Sequence, residues 1–199
     1  MPIETKPYHH PNLQVALIEA GIRQMNKDGY ERLSLRKIAA ECGVSHSAPY
    51  RHFKDKDGLL TAMQIYVEEQ FTEVLQQAVE EYSSVPHPMV EFGKAYVRFF
   101  AAYPEYYAFF INQENYYVEI SEATNHVHSN YRPFTIFKEQ ALFHMKANGV
   151  PEKMYLVGMA AMWATVHGLA GMATMSGVHY DGEWDALTEK VLLGVMPDE

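Results

Sequence analysis

The run from Leu33 to Leu60, LSLRKIAAECGVSHSAPYRHFKDKDGLL, constrains this chain more than any other stretch. Ser34 is placed to accept from free N–H groups in a first helical turn. Leu35, Ile38, Ala39 and Cys42 then recur at i, i+3, i+4 and i+7, the spacing of one buried helical face. Gly43 follows, the residue best able to take the left-handed conformation that ends a helix. Val44 is a small apolar plug for the turn, and Ser45 is a second N-cap. Deep in a helix Pro49 would clash with the carbonyl four residues back, so the second helix is expected to start no earlier than about Ser45. Asp55 caps the start of a third, longer helix.

The second helix carries His46, Ser47, Tyr50 and Arg51 outward, while Phe53 turns back to the core. In a helix-turn-helix module the N-terminal residues of the second helix meet base edges in the major groove. His46 and Ser47 can hydrogen-bond bases, and the methyl of Ala48 can touch a thymine methyl. Tyr50, His52, Lys54 and Lys56 are better placed to hold phosphates, which fixes register without reading sequence.

The string GVSHSAPYRHFKDKDGLL, preceded by LSLRKIAAEC, closely resembles the DNA-binding segment of TetR-type (AcrR-like) transcriptional regulators, over roughly residues 10 to 62. The resemblance implies that Arg36 and Lys37 approach the DNA backbone from the first helix of the motif. It also implies that His46, Ser47 and Ala48 face bases, with Ser45 beside them in the DNA-binding set, and that Tyr50, His52 and Lys56 contact phosphates. Pro49 replaces the aliphatic residue more usual before the Tyr.

Net charge is −9, which by itself speaks against nucleic acid. Its distribution matters more. Residues 1 to 60 hold nine Lys/Arg and seven Asp/Glu, net +2, and the remainder hold seven and eighteen, net −11. An acidic body repels DNA and leaves the basic head as the contact surface, with binding that weakens as salt rises. The N-terminus MPIETKPYHHPN lacks the pattern of a signal peptide. One cysteine, Cys42, excludes an intramolecular disulfide framework and fits a small core position. A cytoplasmic protein is expected.

Helical periodicity runs through the rest, so the expected fold is all-α, with a three-helix DNA-binding domain over 9–56 and a helical effector-binding and dimerisation domain over 57–199. A first helix over Asn12 to Asp28 turns Leu13, Leu17, Ala20 and Met25 inward and stops at Gly29. The third helix runs to about Tyr82 on a stripe of Leu59, Met63, Tyr66, Val67, Phe71, Val74 and Val79. SSVPHP at 83–88 is a breaker. Helices are expected over Met89 to Tyr103, after Pro104, over Ser129 to Asn148, from Pro151 to Gly177 and over Glu183 to Met196. Gln113 to His128 reads as a looser polar stretch, and no strand-like alternation is apparent.

Two features of this body bear on function. An aromatic cluster, with Tyr96, Phe99, Phe100, Tyr103, Tyr107, Phe110, Tyr131, Phe134 and Phe137 among its members, is more aromatic and richer in Tyr than plain core needs. A buried Tyr hydroxyl requires a partner, which a ligand in an aromatic-walled cavity can supply. The family resemblance implies a small inducer bound there, and Trp163 and His167 are further wall candidates, His167 more readily as a satisfied core residue. The second feature is Leu156 to Val178, which holds no charged residue. It is long enough to cross a membrane. Its Ala, Gly and Met content and its acidic flanks argue instead for packing, with Ala160, Ala164, Gly168 and Gly171 as a small-residue stripe. AMWATVHGLAGMATMSG also resembles a C-terminal variant of the TetR type marked by Trp, His and Gly, here Trp163, His167 and Gly168. In that family this helix and the last one pair with their mates, so residues 156–178 and 183–196 are expected to form a homodimer.

No glycine-rich phosphate loop, nucleophile elbow, HExxH or CxxC pattern is present, so neither an enzyme nor a cofactor is expected. His9 with His10 and His126 with His128 lack nearby Cys or carboxylate partners, and no metal site is expected. The expected function is a ligand-responsive regulator, a repressor released from a palindromic operator by a small hydrophobic or aromatic effector. The alternative is a dimeric scaffold that does not read DNA, in which the exposed His46, Ser47, Tyr50, Arg51 and His52 have no use.

Overall fold

A computed structural model of the chain describes residues 12–111, 116–121 and 126–195. Helix α1 (Leu13–Asp28) begins where Asn12 accepts from the Val15 N–H at 3.3 Å, and it ends at Gly29, held at φ 79°. A residue with a Cβ resists that backbone, which is why glycine stops the helix there. After a 3-10 turn over Tyr30–Arg32, helix α2 (Leu35–Glu41) is capped by Ser34. The Ser34 N–H donates to the buried side-chain oxygen of Gln24 at 3.0 Å, so α1 fixes the start of α2. Leu17, Ile18, Ala20 and Ile22 of α1 meet Leu35, Ile38 and Ala39 of α2 in a buried core, while Leu13 and Met25 are only half-buried. Cys42 is half-buried with its thiol 3.5 Å from the Ala16 carbonyl, and burial raises its pKa, which keeps it an unreactive thiol.

Asp55 accepts from the Gly58 N–H at 2.9 Å and so caps helix α3 (Lys56–Glu81). Its buried row is Leu59, Met63, Val67, Phe71, Leu75 and Ala78. The row steps mostly by four residues and reaches Leu75 and Ala78, whereas the expected Val74 and Val79 stay half-buried. The chain clusters into two compact units. One runs through Val67 and takes in Ala108–Phe110; the other holds Glu68–Tyr107 and everything from Ile111 on.

In the second unit α4 (Pro88–Ala102) is central, packed on α6 (Arg132–Ala147), α7 (Tyr155–Thr174) and α8 (Trp184–Val195). Helix α5 (Pro104–Ile111) follows it directly. Gly93 lets Leu192 and Val166 press against the α4 backbone where a Cβ would collide with both. Arg98 pairs with Asp185, and Lys94 with Glu91 and Glu189, tying α4 to α8 at its polar edge.

Helix α7 starts later than Pro151, after a 3-10 turn over Glu152–Met154. Glu152–Thr174 has a mean hydropathy of 1.4 and is long and apolar enough to cross a membrane. Its Met159, Val166, Leu169 and Ala170 are buried, against α4 and α8. Val157, Ala160, Ala164, Gly168 and Met172 are exposed in the single chain, as is Leu193 on α8. Gly171 does not share that face: a Cβ there would meet the Tyr107 hydroxyl.

One part of the polar stretch is not loose. Strands β1 (Val118–Ser121) and β2 (His126–Ser129) form an antiparallel hairpin, with Val118 opposite Ser129 and Ile120 opposite Val127. Four residues per strand and a single buried apolar side chain, Val127, are too few for alternation to be visible in sequence. The hairpin is held by side chain to backbone bonds from its Ser and Asn residues: Ser129 Oγ donates to the Tyr117 carbonyl (2.8 Å), and the Tyr117 N–H donates to Asn130 (3.0 Å).

Candidate functional site

The segment expected to be the second helix of the motif is not an α-helix. From Ser45 it makes a turn and then a single 3-10 turn over Pro49–Arg51. The cause is local. Pro49 has no N–H to bond the Ser45 carbonyl, and that carbonyl instead accepts from Ala48 at 2.9 Å, one residue tighter than α. The Ser45 hydroxyl meets Ser47 Oγ at 3.2 Å rather than capping a backbone N–H. Burial of Pro49 and Phe53 anchors the segment, and everything between and around them is pushed outward. Ser45, His46, Ser47, His52 and Lys54 are exposed, Tyr50 is 58% exposed, and Ala48 is half-buried. Arg36 and Lys37 are exposed on the outer side of α2. Lys56 differs from the rest: it is half-buried, and its Nζ donates to the Tyr30 carbonyl at 2.9 Å.

In the second unit, five of the expected pocket residues converge. Tyr96 on α4, Tyr131 just before α6, Phe134 and Phe137 on α6 and Trp163 on α7 surround a cavity of about 10 Å³, completed by Phe71, Leu75, Pro133 and Val166. That is room for about one water molecule. None of these nine residues carries a charge. Phe99, Phe100, Tyr103 and Tyr107 pack around the site without lining it, and Phe110 falls with the first unit. Phe71 and Leu75 were missed in sequence as wall residues because their four-residue spacing on α3 looks the same as ordinary core.

A polar chain runs along the pocket. Trp163 hydrogen-bonds the Tyr96 hydroxyl, and an indole N–H can only donate. The Tyr96 oxygen therefore accepts from Trp163, and its own proton is free to go to His167 Nδ1, 3.0 Å away. Burial lowers the His167 pKa and raises that of Tyr96, so both are neutral, and Tyr96 donates in the tautomer that leaves His167 Nδ1 unprotonated. Tyr107 donates to the His167 main-chain carbonyl at 3.0 Å. Tyr131, also held neutral by burial, stands at the same wall, its ring 4.3 Å from that of Tyr116. Two other cavities lie in this unit: one of about 10 Å³ between Gly93, Met162 and Leu192, and a larger groove of about 70 Å³ between Tyr82, Met89 and Phe143.

Among the described residues no group of three or more His, Cys, Asp or Glu is placed to hold a metal. His9, His10 and Met196 lie outside the described residues, and of His126 only the backbone is described.

An exposed polar turn on a buried helical core, in a chain whose other unit is mainly helical, is the build of a helix-turn-helix transcriptional regulator. Residues 17–63 match the bacterial regulatory proteins of the tetR family, and residues 89–195, more than half of the chain, match the tetracyclin repressor-like C-terminal domain. The chain belongs to the TetR family. Over 52 residues it is 40% identical to an uncharacterized HTH-type transcriptional regulator, YerO of Bacillus subtilis, an alignment that spans 26% of this chain and 18% of that one. Among solved structures, a protein of unknown function from Rhodococcus sp. RHA1 is similar at a TM-score of 0.71 and 27% identity, covering 96% of both chains. The regulator FadR from Bacillus subtilis, in complex with stearoyl-CoA, reaches 0.67 at 15% identity over 91% of this chain and 96% of its own. AibR, in complex with isovaleryl coenzyme A and operator DNA, reaches 0.62 at 17% identity over 92% and 97%.

Proposed function

We propose that this chain is a homodimeric repressor that binds a palindromic operator through residues 9–56 and is released by an uncharged, hydrophobic effector bound within residues 57–199. The observation that carries the reading is the segment from Ser45 to Lys54: two buried anchors, Pro49 and Phe53, hold a row of exposed hydrogen-bonding and cationic side chains outward. Ser45, His46, Ser47 and Ala48 take the base edges. Arg36, Lys37, Tyr50, His52 and Lys54 take the phosphates, which sets register. The segments 156–178 and 183–196 supply the dimer contact: Val157, Met172 and Leu193 are exposed apolar side chains on them, and such surface in water favours burial against a second copy. Two subunits place two heads in successive major grooves. The chain acts as a regulator in the cytoplasm and not as an enzyme.

The pocket favours a neutral ligand, because its walls offer aromatic surface and the hydroxyls of Tyr96 and Tyr131 but no cation. FadR and AibR were solved with acyl thioesters of coenzyme A. The same walls would accept an acyl chain, but the highly charged nucleotide end would have to lie outside them. A cavity near 10 Å³ admits neither without rearrangement, so effector binding must separate α6 from α4 or α7. That movement is the differential contact by which a ligand could select one head spacing over another.

The test is retardation of the promoter fragment beside the chain's own gene, repeated with a screen of neutral aromatic and long-chain compounds and with acyl-CoA esters. Specific retardation relieved by a neutral compound supports the reading. Relief by acyl-CoA esters alone replaces the effector class, and no specific retardation leaves the scaffold.

A further inference from the structure

Lys56 is the one residue of the expected DNA-contacting set whose charged group is already engaged within the protein. Its Nζ donates to the Tyr30 carbonyl at 2.9 Å and stands 3.9 Å above the centre of the Tyr30 ring. The next residue along α3, Asp57, accepts the Tyr30 hydroxyl proton. Two consecutive residues at the start of α3 thus grip the carbonyl, the ring face and the hydroxyl of one residue in the turn before α2. Tyr30 and Lys56 are 26 positions apart, and α2, the turn and the exposed segment Ser45–Lys54 all lie between them. The grip closes the base of the whole motif.

The surroundings of Lys56 do not suit a phosphate. Asp55, Asp57 and Glu31 are all close enough to act on the Tyr30 hydroxyl, whose pKa they raise together with the hydrogen bond to Asp57. The Lys56 ammonium itself is half-buried, with one N–H committed to the Tyr30 carbonyl and the Tyr30 ring beneath it. By contrast, Lys54 is exposed and Arg36 and Lys37 stand clear on α2.

We propose that Lys56 is a positioning residue: it sets DNA affinity by clasping Tyr30 and so fixing the base-reading turn between α2 and α3, not by contacting a phosphate. The proposal rests on the DNA-binding reading above and departs from it at this position.

The two roles separate by salt dependence. A lost phosphate contact lowers the slope of log affinity against log salt by about 0.9, whereas a lost positioning contact lowers affinity at every salt concentration with the slope kept. Promoter binding is measured between 50 and 200 mM salt for Lys56→Met, Lys56→Arg, Tyr30→Leu and the Lys56→Met, Tyr30→Leu pair, with melting followed alongside. Lys56→Met is expected to weaken binding about tenfold at an unchanged slope. Lys56→Arg, which can still donate and stack, recovers most of that loss. Tyr30→Leu, which keeps the carbonyl but removes the ring face and the Asp57 bond, gives a smaller loss, and the double variant is little worse than Lys56→Met alone, since both act on one clasp. A merely stabilising lysine would lower the melting temperature and leave the affinity of the folded protein intact. Lys56→Gln, which keeps a donor for the carbonyl but loses the charge over the ring, covers the case in which Lys56→Met does not fold, with a smaller loss expected at unchanged slope. A slope reduced by about 0.9 in Lys56→Met or Lys56→Gln, or losses that multiply in the double variant, overturns the proposal. Parent protein that retains no promoter DNA overturns the DNA-binding reading itself and the proposal with it.

Discussion

The two candidate sites of this chain are built in opposite ways. In the first unit the proposed function rests on exposed side chains carried by a short, irregular turn, and only Pro49 and Phe53 of that turn are buried. In the second it rests on side chains drawn from four helices, where buried Phe71, Tyr96 and Phe134 are at once pocket wall and core and half-buried Trp163 completes the wall. A surface site can vary its chemistry at little cost to folding. A site made of core cannot change its ligand preference without changing its packing.

The largest expected effect sets these two against each other. Phe71 is fully buried, with its ring 4.7 to 5.0 Å from those of Tyr96, Phe99 and Phe100. Phe71→Ala should lower unfolding stability by about 3–5 kcal/mol in urea titrations. Tyr50→Ala should change stability by less than about 0.5 kcal/mol, as exposed substitutions usually do. Comparable destabilisation by the two would break the contrast.

A finer cut lies within the pocket. Tyr96→Phe removes the hydroxyl between Trp163 and His167 while keeping the ring. Two polar groups lose a partner at once, and the expected cost is about 1–3 kcal/mol by chemical denaturation. A negligible change would mean that the chain from Trp163 to His167 does not act as a unit.

The smallest effect is a pH dependence of stability. Burial lowers the pKa of both His167 and His144 from 6.5. As pH falls through that value the unfolded chain takes up protons that the folded chain refuses, so stability falls. The melting temperature should therefore be lower at pH 5.5 than at pH 7.5, and His167→Gln should flatten part of the difference. A melting temperature that rises on acidification contradicts the assignment of His167 as a neutral acceptor.

The difference between the units also explains what could be read in sequence. Caps and stops are short-range, so Asn12, Gly29, Ser34 and Asp55 delimit helices close to where they were expected. The α2 face of Leu35, Ile38 and Ala39 is as legible for the same reason. Pro49 was recognisable as a constraint on the second helix, but not as one strong enough to reduce it to a 3-10 turn. What no local signal carries is the burial of Pro49, a tertiary fact that decides which side chains of the turn face outward. In the second unit an aromatic residue at helical spacing is equally compatible with wall and filler. Tyr96 meets Trp163 only because α4 and α7 pack together, and nothing local to either helix encodes the contact. The hairpin over Val118–Ser129 was invisible because its strands are short and its ties run through Ser and Asn side chains.

The central claim, that the turn after α2 reads DNA, is tested most directly by fluorescence anisotropy of the labelled promoter fragment with the parent protein and Tyr50→Ala. The account predicts saturable binding that weakens steeply between 50 and 200 mM salt. It further predicts an affinity for Tyr50→Ala lower by about tenfold or more, since a side-chain contact of this kind accounts for roughly 1–3 kcal/mol. Equal affinities for the two proteins, or no preference for the promoter over unrelated duplex, would contradict it.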